Sequence, residues 1–256
     1  MTTPRFKLLT MGNPKTAKGR AKGWAVAVLH LAPASLSGFN VCPQSTAGCI
    51  AGCLNLAGRG GLAAGGALTL DDVMAGKRSN VIQAARVRRT EWLFDDRAGF
   101  LAALTLDIQR FVQWCQREGL KPALRLNGTS DLDWNGIAPG VISMCNLWEV
   151  QRYDYTKVAN RAKRSAPGMY ALTFSLAESN DADALRALDG GMNVAAVFST
   201  PKGKPLPETY TIAGRVIPVI DGDEDDLRFL DPAGVIVGLR AKGPAKRDTS
   251  GFVRRV

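Results

Sequence analysis

Met169-Tyr170-Ala171-Leu172-Thr173-Phe174-Ser175, then Asp181-Ala182-Asp183-Ala184-Leu185-Arg186-Ala187-Leu188, then Asn193-Val194-Ala195-Ala196-Val197-Phe198-Ser199 decide the fold. The two flanking runs are short, continuous and apolar. The middle one has helical spacing and opens with acids that suit a helix N-terminus. Strands apolar on both faces, joined through a helix, indicate a parallel sheet covered by helices. Further runs at Ala123–Asn127, Glu149–Tyr155, Val216–Ile220 and Val235–Leu239 extend the pattern, with a helical stretch expected at Tyr155–Arg164. Upstream, Trp24–Leu31 is a Val-rich strand bounded by Gly23 and Pro33. That makes about seven strands in one α/β domain, either a partial or irregular (β/α) barrel or an open wound sheet.

The stretch between Leu31 and Ala123 reads as helices and loops. From Asp71 to about Gly119 it is helical, with Phe100, Leu104, Ile108, Phe111, Val112 and Cys115 on one face and Gly119 as the closing residue. Residues 1–22 form a polar, basic lead-in whose Asn13-Pro14 and Lys18-Gly19 discourage regular structure, and residues 23–256 form the single domain.

The 256 residues carry 33 Lys+Arg against 23 Asp+Glu, a net +10, with 46% hydrophobic residues. That composition excludes disorder and collagen-like repeats. No apolar run reaches membrane-span length, and no signal peptide is visible, so the expected location is the cytoplasm. Seven basic residues and no acid precede Asp71, and six Lys/Arg against Asp248 alone fill the last seventeen residues. A basic surface of this kind suits nucleic acid, anionic cofactors, phosphorylated substrates or a partner protein, and equally a solvated surface of high pI. Asp221, Asp223, Glu224, Asp225 and Asp226 form an acidic knot, expected to be an exposed loop. One His excludes a Ser–His–Asp triad, and Gly-x-x-x-x-Gly-Lys is absent.

Five cysteines, an odd number, argue against a disulfide framework. Three of them stand within twelve residues: Cys42-Pro43-Gln44-Ser45-Thr46-Ala47-Gly48-Cys49-Ile50-Ala51-Gly52-Cys53. Cys49 and Cys53, at i and i+4, would share a helix face, and Cys42 would fold back over the helix N-terminus. An iron–sulfur cluster, 4Fe-4S by preference, on Cys42, Cys49 and Cys53 is the expectation. Zinc is one alternative, though it lacks a second Cys/His pair, and a metal-free set of buried thiols is the other. Cys115 reads as core, Cys145 as core or a distant fourth ligand, and His30 as a packed histidine. Residues after strand C-termini are the remaining candidates, because ligands of α/β sheets gather there. They are Asn127, Asp131, Asp133, Tyr155, Lys157, Ser175, Glu178, Asp221, Arg240 and Lys242. Asn127, Asp131 and Lys157 are the expected cofactor-binding set; the Asp131/Asp133 pair would serve as a cation site, a base or a turn cap.

With Cys42-Pro43, Cys49 and Cys53, followed by Leu124-Arg125-Leu126-Asn127-Gly128-Thr129-Ser130-Asp131 and Tyr155-Thr156-Lys157, the chain resembles the gene-product-eighty-eight-like group of phage proteins across about residues 10–200. The resemblance implies a phage or prophage origin. More distantly, three cysteines after the first strand are similar to radical S-adenosylmethionine enzymes, with spacing six and three in place of three and two. That likeness implies a partial barrel, an open iron and S-adenosylmethionine as cofactor, with Gly58-Arg59-Gly60-Gly61 standing for the glycine-rich grip.

Overall fold

The computed structural model describes residues 5–12, 14–165 and 168–256. Twelve strands follow in chain order: β1 Leu9–Thr10, β2 Trp24–Leu29, β3 Leu62–Ala63, β4 Gly66–Ala67, β5 Lys121–Arg125, β6 Gln151–Thr156, β7 Tyr170–Ser175, β8 Asn193–Phe198, β9 Thr209–Ile212, β10 Arg215–Asp221, β11 Ile236–Arg240 and β12 Val253–Arg254. Ten join one sheet, ordered β1-β2-β5-β6-β7-β8-β11-β10-β9, with β12 on β8; β3 and β4 make a separate hairpin. From β2 to β10 every neighbouring pair is parallel, and only the edge strands β1 and β9 are antiparallel. The fold is therefore α/β with a mainly parallel sheet. The run β2-β5-β6-β7-β8 is laid down as in a barrel wall, but the order reverses after β8 and the sheet does not close.

All seven strands expected from the sequence are present. Residues 70–118 form three helices rather than one: Leu70–Met74, Val81–Asp95 and Arg97–Glu118. Asn80 and Asp96 break the run because each side chain accepts the first free amides of the helix that follows. Gly119, at φ +67°, ends the last helix as its sequence position predicted. Tyr155–Arg164 is not one helix, since β6 runs to Thr156 and only Ala159–Arg164 turns, as a 3-10 helix.

Successive residues on a strand face opposite sides. Ala25, Ala27, Leu29, Leu124 and Leu126 pack on Phe100, Leu104, Ile108 and Phe111 of the long helix, and Leu172, Phe174 and Val194 pack on Ala184 and Leu188 of helix Asp181–Asp189. Each such large side chain is worth roughly 1.5–3 kcal/mol on burial. The lead-in is part of this construction. Leu8 and Leu9 are buried, and Asp107 of the long helix accepts both their amides, at 2.7 and 3.2 Å.

The opposite face is covered by short turns of helix and connecting chain rather than by long helices. Leu227 and Phe229, from the β10–β11 connection, pack on Trp24, Val26, Val28 and Tyr153. The acidic knot is thus no exposed loop: Asp225 and Asp226 are 6% and 3% exposed. Asp226 accepts the Tyr153 hydroxyl at 2.8 Å and pairs with Arg125 and Lys15 at 3.4 and 3.5 Å. Burial alone would raise its pKa, but those cations hold it below the usual carboxylate range.

Candidate metal centre

The cysteine segment leaves β2 at its carboxyl end. Val41 accepts the Asp131 amide at 2.8 Å, which ties the loop to the end of β5. Thr46 caps the short helix Ala47–Ala51 by accepting the Cys49 amide at 3.2 Å. Gly52 ends that helix, so Cys53 lies beyond it and caps a 3-10 turn instead, accepting the Asn55 amide through its sulfur. The shared helix face expected for Cys49 and Cys53 is therefore broken. Nor does Cys42 sit on the helix N-terminus: Glu178, after β7, takes the Gly48 amide at 2.8 Å and the Thr46 hydroxyl at 2.6 Å.

The three cysteines still meet. Cys42, Cys49 and Cys53 line one small cavity with Leu36, Ile50, Leu56 and Met74, about 30 Å³ in volume and partly open to solvent. Two sulfurs already accept backbone N–H groups, Cys42 from Ala34 at 3.3 Å and Cys53 from Asn55 at 3.5 Å. Burial, reinforced by the neighbouring thiols, pushes Cys42 up to about 11 and Cys53 up to about 12. Among the described residues no three His, Cys, Asp or Glu side chains converge tightly enough for a single metal ion.

Behind Cys53 lies a buried polar network. The Asn55 amide donates to Gln83 at 2.7 Å, and the Gln83 amide donates to the Asn55 and Gly60 carbonyls at 2.8 and 2.7 Å. Arg86 donates to the Asn55 side chain, and its charge favours a thiolate at Cys53. In front, Asp131 and Lys157 are near enough to Cys42 to shift it in opposite directions. The backing is a glycine face. A Cβ on Gly48 would lie 2.1 Å from Ser250 Oγ, and one on Gly52 3.2 Å from the Ala245 Cβ, so only glycine admits the segment before β12 here.

The sequence model of the Gene product 88 family matches residues 7–256. The chain belongs to the Gene product 88 family. No curated protein and no solved structure matches it.

In this Gene product 88 chain the remaining candidates divide clearly. Asn127 is 2% exposed, and its Oδ1 accepts Ser130 Oγ, the Leu132 amide and Trp134 Nε1, so it organises its own loop. Asp131 accepts the Lys157 amide at 2.9 Å and pairs with Arg161 at 2.6 Å; Asp133 pairs with Arg164. Lys157 Nζ donates to Ser175 Oγ at 2.8 Å and lies 5.7 Å from the Phe252 ring. Cys115 and Cys145 are core residues, and neither lines the cysteine cavity. His30, pushed down to about 3 by burial, contacts Thr10 Oγ1 at 3.1 Å. Glu178 was among the strand-end candidates in the sequence. Arg86 and Gln83 were not, because a polar face on a helix carries no local sign of what it touches. Among the described residues no helix is long and apolar enough to cross a membrane.

Proposed function

We propose that this protein holds an iron–sulfur cluster on Cys42, Cys49 and Cys53, at the carboxyl edge of its parallel sheet. The observation that carries the reading is that three half-buried thiols line one apolar cavity, two of them already accepting backbone N–H bonds. Buried thiols raised this far stay protonated at neutral pH, and a metal is what makes their thiolates tolerable. A tetrahedral zinc site draws its sulfurs to about 3.8 Å apart, as Zn–S bonds of about 2.3 Å require. Thiols that share a cavity without closing on one point fit a polynuclear guest better. Such a cluster supplies one-electron chemistry and, with three protein thiolates, leaves one iron without a protein sulfur. Arg86 would balance its charge at Cys53, while Asp131 and Lys157 would face it from the strand ends.

S-adenosylmethionine is outside this reading. A Cβ on Gly60 or Gly61 would lie 2.7 or 2.1 Å from a carbonyl oxygen of Asn55 or Leu56, so those glycines serve backbone packing rather than a cofactor grip. The proposal extends to a phage or prophage protein in the host cytoplasm, where thiols stay reduced.

Anaerobic purification with iron, sulfide and zinc analysis is the test. Iron with acid-labile sulfide and a visible charge-transfer spectrum are expected, with Cys49→Ala giving colourless, poorly soluble protein because cluster and fold are coupled. Folded wild-type protein without iron, zinc in its place, or Cys49→Ala with unchanged iron each overturns the reading.

A further inference from the structure

A second cleft, of about 1010 Å³, opens at the same sheet edge but on the far side of β8. It lies where the strand order reverses between β8 and β11, lined by the ends of β8 (Ser199, Thr200), β10 (Asp221) and β11 (Arg240). Open α/β sheets bind ligands outside the carboxyl ends of their strands at such a reversal. The volume is at the upper end of small-molecule sites.

Its charge is lopsided. Eight Lys and Arg side chains line it, against four carboxylates. Two of the carboxylates are spent internally: Asp221 pairs with Arg240 at 2.9 Å, and Asp223 pairs with Arg240 and Lys242 at 3.3 and 2.6 Å. A third, Asp248, accepts the Ser250 hydroxyl and the Gly251 and Val253 amides. By contrast, Lys202, Lys204, Lys246 and Arg255 are exposed, and none has a carboxylate within 4.0 Å among the described residues. They stand on three separate segments: the loop after β8, the turn after β11 and the end of the chain. Unpaired cations converging on a concave site focus a positive field into it. Among the described residues no aromatic side chain lines the cleft, which withholds the stacking platform that single-stranded nucleic acid uses.

We propose that this cleft binds an oligophosphate of nucleotide size, its phosphates held by Lys202, Lys204, Lys246 and Arg255. The site is separate from the cysteine cavity and does not depend on a metal there.

The test is fluorescence anisotropy on the full-length protein, using a fluorescent nucleoside triphosphate, unlabelled inorganic triphosphate as competitor and, separately, a labelled twelve-nucleotide DNA strand. Saturable nucleotide binding displaced by triphosphate is expected. The double variant Lys202→Glu/Lys246→Glu should weaken it at least tenfold. Lys77→Glu/Arg88→Glu, which makes the same charge change on exposed residues outside the cleft, should weaken it less than threefold. Both residues of the cleft pair are free of ion pairs, so matching melting temperatures will show that the variant folds. Absence of saturable binding overturns the proposal, as does an equal loss in both double variants. DNA binding without competition from triphosphate assigns the cleft to nucleic acid and overturns it too.

Discussion

The two densest clusters of one chemistry in the chain, carboxylates at 221–226 and cysteines at 42–53, meet opposite fates. The carboxylates are answered from every side: Lys15, Lys22, Arg125, Arg228, Arg240 and Lys242 all reach them. The cysteines receive two backbone amides, Cys42 gives its proton to the Thr129 carbonyl at 3.8 Å, and most of the cavity they share is aliphatic. A polar cluster whose valences are filled inside the molecule is architecture. One that keeps no charged partner within the fold is a candidate for binding.

Removing a partner on the satisfied side should cost most. Asp226→Ala takes the anion from buried Arg125 and should lower unfolding free energy by about 3–5 kcal/mol in urea titrations. Iron per folded molecule should stay as in wild type. A loss under 1 kcal/mol would show that the knot is not the keystone of that face. Next is Gly48→Ala, whose methyl would meet Ser250 Oγ and, at 2.8 Å, Phe252 Cβ. Overpacking of this kind costs about 1–3 kcal/mol. Because the displaced helix carries Cys49, bound iron should fall as well, and unchanged iron would detach the backing from the metal centre.

A smaller effect separates loaded from metal-free protein. Cys42 and Cys53 titrate at about 11 and about 12 in the fold, against an ordinary 9. The folded state therefore keeps protons that the unfolded chain releases, and metal-free protein should lose stability as pH rises from about 9 to 11. Thiolates already bound to metal have no such proton to lose, so the loaded protein should give a flatter profile in thermal melts over that range. The smallest effect concerns Asp154, buried on β6 and pushed up to about 7 by burial; it accepts the Asn127 amide at 2.7 Å and the Tyr170 hydroxyl at 3.2 Å. A raised carboxyl favours folding while protonated, so its contribution declines from about pH 4 to 7. Asp154→Asn should flatten that part of the melting profile by a few degrees, and an unchanged slope would assign it to other groups.

What the sequence made legible follows the range of the forces involved. The parallel strands were readable because each is apolar on both faces, and Gly119 because a helix end is a local event. The edge strands β1, β9 and β12 were missed, being only two to four residues long with little pattern of their own. Helix Pro139–Leu147 also escaped; Val141-Ile142-Ser143-Met144-Cys145 reads as a buried run without period. The acidic knot was misplaced because its cations come from residues 15, 22, 125 and 240, which no local window contains. At the cysteine cavity the three cysteines were plain. Their backing was not, although Gly48 and Gly52 repeat the spacing of Cys49 and Cys53 one residue earlier.

That backing sets an order of events. Strand β12 lies on β8 where β7 stops, and Phe252, just before it, presses on the glycine face of the Cys49 helix. A ribosome delivers Phe252 long after Cys49, so the thiols emerge early and wait, unbraced, through most of translation. Any guest of the cavity would meet the segment without its brace first, and with it only once the last strand has docked.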